Sequence, residues 1–126
     1  MTQDRQINQA VLVVELHDLL KRLGIAQNYI GFSQTISAVK LSVENPALLS
    51  HVTKDLYPSV AEHHNTNWRA VERNIRTVVS QAWMTNPALL SALTGFPLHS
   101  RPRPSYFVAI LSAYCSNNRA VQAPLF

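Results

Sequence analysis

Between Tyr57 and Trp83 the chain reads YPSVAEHHNTNWRAVERNIRTVVSQAW, and the spacing of its apolar residues suits two helices joined by a tight turn. A short first helix carries Val60 and Ala61 inward. Asn65-Thr66-Asn67 makes the turn, since Asn tolerates the left-handed conformation and no glycine is needed there. Thr66 or Asn67 is placed to cap a longer second helix from Trp68 to Trp83. Within that helix Trp68, Val71, Ile75, Val78, Val79, Ala82 and Trp83 recur at steps of three and four and fall on one face. Arg69, Glu72, Arg73 and Arg76 fall on the other. The small Ala61 and the compact Val71 let the two helices cross closely, as in a helix-turn-helix. A helix held to a core on one side, with long polar side chains on the other, has the geometry that reads the major groove of DNA. The same pattern also describes an ordinary helix with a solvated cationic face, and periodicity does not separate the two.

Charge bears on that choice. The net charge is +4, but it is unevenly spread. Residues 1–65 hold five Lys or Arg against six Asp or Glu, whereas residues 66–126 hold six Arg against the single acid Glu72. Positive charge gathered around the second helix suits a polyanionic partner. Cys115 is the only cysteine, so no internal disulfide can form, and a reducing cytoplasmic setting is expected. No run approaches the roughly 18 apolar residues of a membrane span. The opening MTQDRQINQ lacks the basic start and apolar core of a secretory signal.

Taken from the start, residues 5–23 are predicted to form a helix with Ile7, Val11, Val14, Leu19, Leu20 and Leu23 as its apolar stripe, stopped by Gly24 in a left-handed conformation. A connection through Asn28 to Phe32 leads to a helix over 33–43, with Gly31 marking a turn or a close backbone approach. Asn45-Pro46-Ala47-Leu48-Leu49-Ser50 recurs word for word at 86–91. Asn before Pro is a helix-start signal, because Asn caps and Pro fits the first helical position. The residues around the copies do not match, so they read as two uses of one cap. Pro58 predicts a kink or restart near Tyr57. A helix over 87–94 ends at Gly95, a proline-stiffened loop follows with Arg101 and Arg103, and Ser105 caps a last helix to about 115 whose inner side is Phe107, Ile110, Leu111 and Tyr114. Residues 116–126 read as frayed. The expectation is an all-α single domain over 1–126, with about five to six helices and a helix-turn-helix near 57–83.

Catalytic signals are weak. His63 and His64 are adjacent on a helix and point about 100 degrees apart, so they do not share a metal ion, and no third ligand sits at metal spacing. Nucleophile motifs and paired carboxylates are absent, and three glycines leave little material for a phosphate-binding loop. Neither enzyme activity, metal, cofactor nor small-molecule substrate is expected.

Several short runs, taken together, carry a family likeness: Leu48-Leu49, Val52-Thr53-Lys54, Leu56-Tyr57-Pro58, Val60-Ala61, Asn65-Thr66, Val71-Glu72-Arg73 with Ile75-Arg76, and Ala82-Trp83. In this order they resemble the C-terminal DNA-binding effector domain of the sporulation initiation response regulator of endospore-forming bacteria. Lighter echoes run from Val14 through Leu23-Gly24 and Gly31-Phe32 to Arg101-Pro102, Ser105 and Phe107. The resemblance implies an all-helical domain whose second motif helix enters the major groove, and tandem copies that dimerise on DNA through helices outside the motif. It also implies that Glu72, Arg73 and Arg76 are the matched positions on the reading helix, and that Arg101 matches a basic residue of a loop near the backbone. The chemistry agrees, since Arg pairs bidentately with guanine and Glu accepts from cytosine.

Two positions depart from the family pattern. Ala70 stands where Arg usually precedes the VER run, with Arg69 one residue earlier, and Thr77 stands where His follows the last Arg. A different target sequence is the expected consequence. The phosphorylatable receiver domain that precedes this domain in the family has no counterpart in these residues. The reading that follows is a sequence-specific transcription regulator of double-stranded DNA, with Asn67, Arg69, Glu72, Arg73, Arg76, Thr77, Arg101 and Arg103 as the contact set. The alternative is a helical interaction module that pairs with a full-length relative and has lost specific DNA reading.

Overall fold

The computed structural model describes residues 2–122, with side chains described over 9–116. Six α-helices account for most of it: α1 Thr2–Arg22, α2 Ile30–Glu44, α3 Tyr57–His63, α4 Trp68–Thr85, α5 Pro87–Thr94 and α6 Pro104–Gln122. Between α2 and α3 lie a 3-10 turn at Pro46–Ser50 and a π-helical turn at Val52–Leu56. Among the described residues there is no strand, and the chain is all-α as its periodicity predicts.

The centre of the molecule is α2, which packs against α1, α3, α4 and α6. A helix covered on several sides cannot keep a single apolar stripe. Accordingly Phe32, Gln34, Thr35, Ile36, Ala38, Val39 and Ser42 are all buried. Gln34 is kept from being an isolated polar group by Asn74, whose Nδ2 donates to its Oε1 at 3.0 Å. The helix α2 begins at Ile30, three residues before the predicted Ser33, and Gly31 in its first turn has its bare Cα against the main-chain carbonyl of Asn74 and the Val78 side chain, where a Cβ would collide. The close approach read from the sequence therefore lies inside the first turn of α2, against α4.

In α1 the predicted stripe needs correction. Leu12, Leu16, Leu19, Leu20 and Leu23 are buried, whereas Val11 and Val14 are 43% and 68% exposed. Ile7 lies outside the described side chains. Val14 and Leu19 are about 140 degrees apart on a helix, so one face cannot hold both sets. The leucines at 12, 16, 19, 20 and 23 share an unbroken seam, and that seam faces the core.

Helix ends follow from local chemistry. Gly24 has φ 90°, and Ile25 N–H donates to the Leu20 carbonyl at 3.0 Å, the six-to-one bond of a Schellman stop. Asn86 caps α5, accepting from Leu89 N–H at 3.2 Å, and its Nδ2 donates to the Arg22 carbonyl at 2.9 Å. Asn45, in the identical hexapeptide, makes no side-chain cap bond and opens only a 3-10 turn. Gly95 ends α5 at φ 84°. The restart predicted at Tyr57 is the junction of the π-helical turn with α3, with Pro58 in the first turn. At the far end α6 starts at Pro104, places Ser105 inside the helix and runs on to Gln122, past the fraying predicted at 116. Residues 123–126 lie outside the described chain.

Candidate nucleic-acid interface

The helix-turn-helix forms as its residues dictate. Val60 and Ala61 of α3 and Val71, Ile75, Val78, Val79 and Ala82 of α4 are buried, while Trp68 and Trp83 pack half-buried against the core. Asn65 takes φ 52°, and Thr66 N–H donates to the Ala61 carbonyl at 3.0 Å. This is again a Schellman stop, with Asn in the place glycine usually holds. Asn67 is the cap of α4, its Oδ1 accepting from Ala70 N–H at 2.9 Å. Ser37 Oγ and His64 Nε2 share a 2.8 Å hydrogen bond that ties the turn to α2. His63 donates from Nδ1 to the Ser59 carbonyl at 2.8 Å. Both histidines thus have structural partners.

The predicted contact residues emerge on one side. Arg69, Arg73, Arg76 and Thr77 are exposed along α4, with Asn67 exposed at its start. Arg69 stacks its guanidinium over the Trp68 ring at 5.2 Å, which draws it along the helix surface. Thr77 Oγ1 donates to the Arg73 carbonyl at 3.2 Å and keeps its lone pairs outward. Arg76 Nη2 donates to Glu72 Oε1 at 3.3 Å, with the Arg side chain 57% and the Glu side chain 33% exposed. Such an exposed pair one turn apart contributes only a few tenths of a kcal/mol, so both tips separate at little cost.

The loop before α6 completes this face. Arg101 Nη1 donates to Ser80 Oγ at 2.7 Å, and Ser80 Oγ donates in turn to the Arg76 carbonyl at 3.0 Å. A guanidinium distant in sequence is thereby laid along α4, one turn beyond Arg76. Ser80 carried no signal of this role in the sequence, because a serine on a polar helix face is unremarkable until the loop lands on it. Arg103 is exposed in the same loop. No charged partner cancels Arg69, Arg73 or Arg101 among the described ion pairs, so the face is cationic around a single carboxylate.

Beside this face lies a cleft of about 440 Å³ lined by Leu49, Val52, Tyr57, Glu72, Tyr106 and Ala109, among others. Tyr57 is buried to 1% exposure, and its hydroxyl makes no hydrogen bond. Burial pushes the phenol up to about 12, the Glu72 carboxylate adds to the rise, and the Arg76 guanidinium opposes it.

The family model for the C terminal of sporulation initiation factor Spo0A matches residues 16–115. The chain belongs to this family. The Spo0A C-terminal family comprises DNA-binding effector domains of sporulation initiation factors and is not a family of enzymes. Its match spans α2 to α5 entire, the helix-turn-helix and the Arg101 loop. No helix among the described residues is long and apolar enough to cross a membrane.

Proposed function

We propose that this chain is a sequence-specific regulator of transcription that reads the major groove of double-stranded DNA with the outward face of α4. The carrying observation is the convergence of Arg69, Arg73, Arg76 and the loop residue Arg101 on one exposed face whose opposite side is fixed in the core. Arg69, Arg73, Arg101 and Arg103 contact phosphates and set the register, while Glu72 and Arg76 discriminate base edges, with Asn67 and Thr77 at the margins. A rigid α4 matters for this division of labour, because phosphate contacts position and only base contacts specify. Residues 1–126 act in this as one helical DNA-binding unit in the cytoplasm, and two copies pair on tandem sites.

Selection from a random duplex pool tests the reading. Enrichment of one sequence supports it. Salt-sensitive binding without enrichment contradicts base reading by α4. Failure to bind any duplex, with a protein partner retained instead, supports an interaction module that pairs with a relative.

A further inference from the structure

The hydroxyl of Tyr57 has no hydrogen-bonding partner in a fully buried setting, and a phenylalanine would fill the same space without the cost of stripping water from an O–H group. What the hydroxyl adds must therefore be sought in a second state of its surroundings. Tyr57 and Glu72 line the same cleft, and Glu72 is the charged residue in that lining. In the free protein the Glu72 carboxylate is held by Arg76 across 3.3 Å, one turn along the helix. Bidentate pairing of Arg76 with guanine would draw on terminal N–H groups of the same guanidinium and so compete with its weak contact to Glu72. A carboxylate left on a flexible stem selects poorly between bases, since an unfixed acceptor reaches several of them. The Glu72 carboxylate raises the phenol and the Arg76 guanidinium lowers it, so both charges act through space on a hydroxyl whose ring lines the same cleft as Glu72.

We propose that Tyr57 is a positioning residue whose hydroxyl donates to the Glu72 carboxylate once Arg76 turns to a base, and so sets which base Glu72 accepts. This rests on groove reading by α4. No covalent step is involved, and one donor is exchanged for another on the same carboxylate. Arg76 and Glu72 then discriminate neighbouring base pairs separately, although they begin as a pair.

The test compares Tyr57→Phe, Glu72→Ala and the double variant with the parent, by titrating the duplex recovered from the random pool and its single-base-pair variants. Tyr57→Phe is expected to keep the salt slope and the affinity for random duplex, and to lose about tenfold in discrimination at one base pair, the order of one hydrogen bond to a charged group. Glu72→Ala loses discrimination at that same base pair, and adding Tyr57→Phe to it changes nothing further. Tyr57→Phe that discriminates like the parent at every position overturns the proposal while leaving groove reading intact. A loss of equal size in the Glu72→Ala background also overturns it, because the hydroxyl then acts elsewhere. A parent that selects no sequence removes groove reading and this proposal together.

Discussion

Gly31 in α2 lies directly against the main-chain carbonyl of Asn74 in α4, and no side chain fits between them. The contact sets how deeply α4 seats in the core, with the Asn74 to Gln34 hydrogen bond of 3.0 Å beside it. Gly31→Ala must push the two helices apart, because the obstacle is backbone and cannot rotate away. An overpacking cost of about 1 to 3 kcal/mol is expected, read as a lower midpoint in urea. Unchanged stability would mean that α2 and α4 are not in such close contact.

The two copies of Asn-Pro-Ala-Leu-Leu-Ser predict unequal responses. Asn86→Ala removes a cap bond to Leu89 and a bond to the Arg22 carbonyl, and is expected to cost about 1 kcal/mol or somewhat more. Asn45→Ala removes no side-chain cap bond and should fall within about 0.5 kcal/mol of the parent. Thermal unfolding of the two variants side by side checks the difference, and equal losses would contradict it.

Under the proposed groove reading, variants of Arg76 and Arg101 are expected to affect specificity and affinity differently. Arg76→Ala is expected to cost about 1 to 3 kcal/mol on the preferred duplex and to relax selection at one base pair.

Arg101→Ala is expected to weaken binding evenly across sequences and to lower the slope of log affinity against log salt by about 1. Because Arg101 donates to Ser80, Ser80→Ala should reproduce part of this loss by freeing the guanidinium. Titrations at several salt concentrations give both quantities.

Tyr57 makes a prediction at alkaline pH. Its phenol titrates near 12 in the folded chain against an ordinary value of 10.0. Below pH 10 both folded and unfolded chains keep the proton, and the stability tied to the neutral phenol is fully present. As pH climbs from 10 to 12 the unfolded chain releases the proton first and stability falls, by roughly 2 to 3 kcal/mol in all. Tyr57→Phe should lose less stability than the parent over that window in denaturant titrations.

Much of the fold was legible because α4 is strongly two-sided, with branched aliphatics at steps of three and four and arginines opposite. The turn was legible too, since Asn65 is among the few residues that accept a left-handed backbone. In α1 two apolar stripes compete at similar spacing, and only packing against α2 and α6 chooses the leucine seam over Val11 and Val14. Asn86 and Asn45 open the same hexapeptide yet diverge, and only Asn86 also donates from Nδ2 to the distant Arg22 carbonyl, a contact that the hexapeptide does not encode. The contact of Arg101 with Ser80, and the cleft shared by Tyr57 and Glu72, join residues whose partnership no local period encodes.

The most direct test of the central claim is to titrate the isotopically labelled protein with its selected duplex and follow amide and guanidinium resonances. Groove reading by α4 predicts that the largest shifts fall on Arg69, Glu72, Arg73, Arg76 and Thr77, with Arg101 moving in step. Shifts confined to α1 and α5, with the outward face of α4 unchanged, would contradict it.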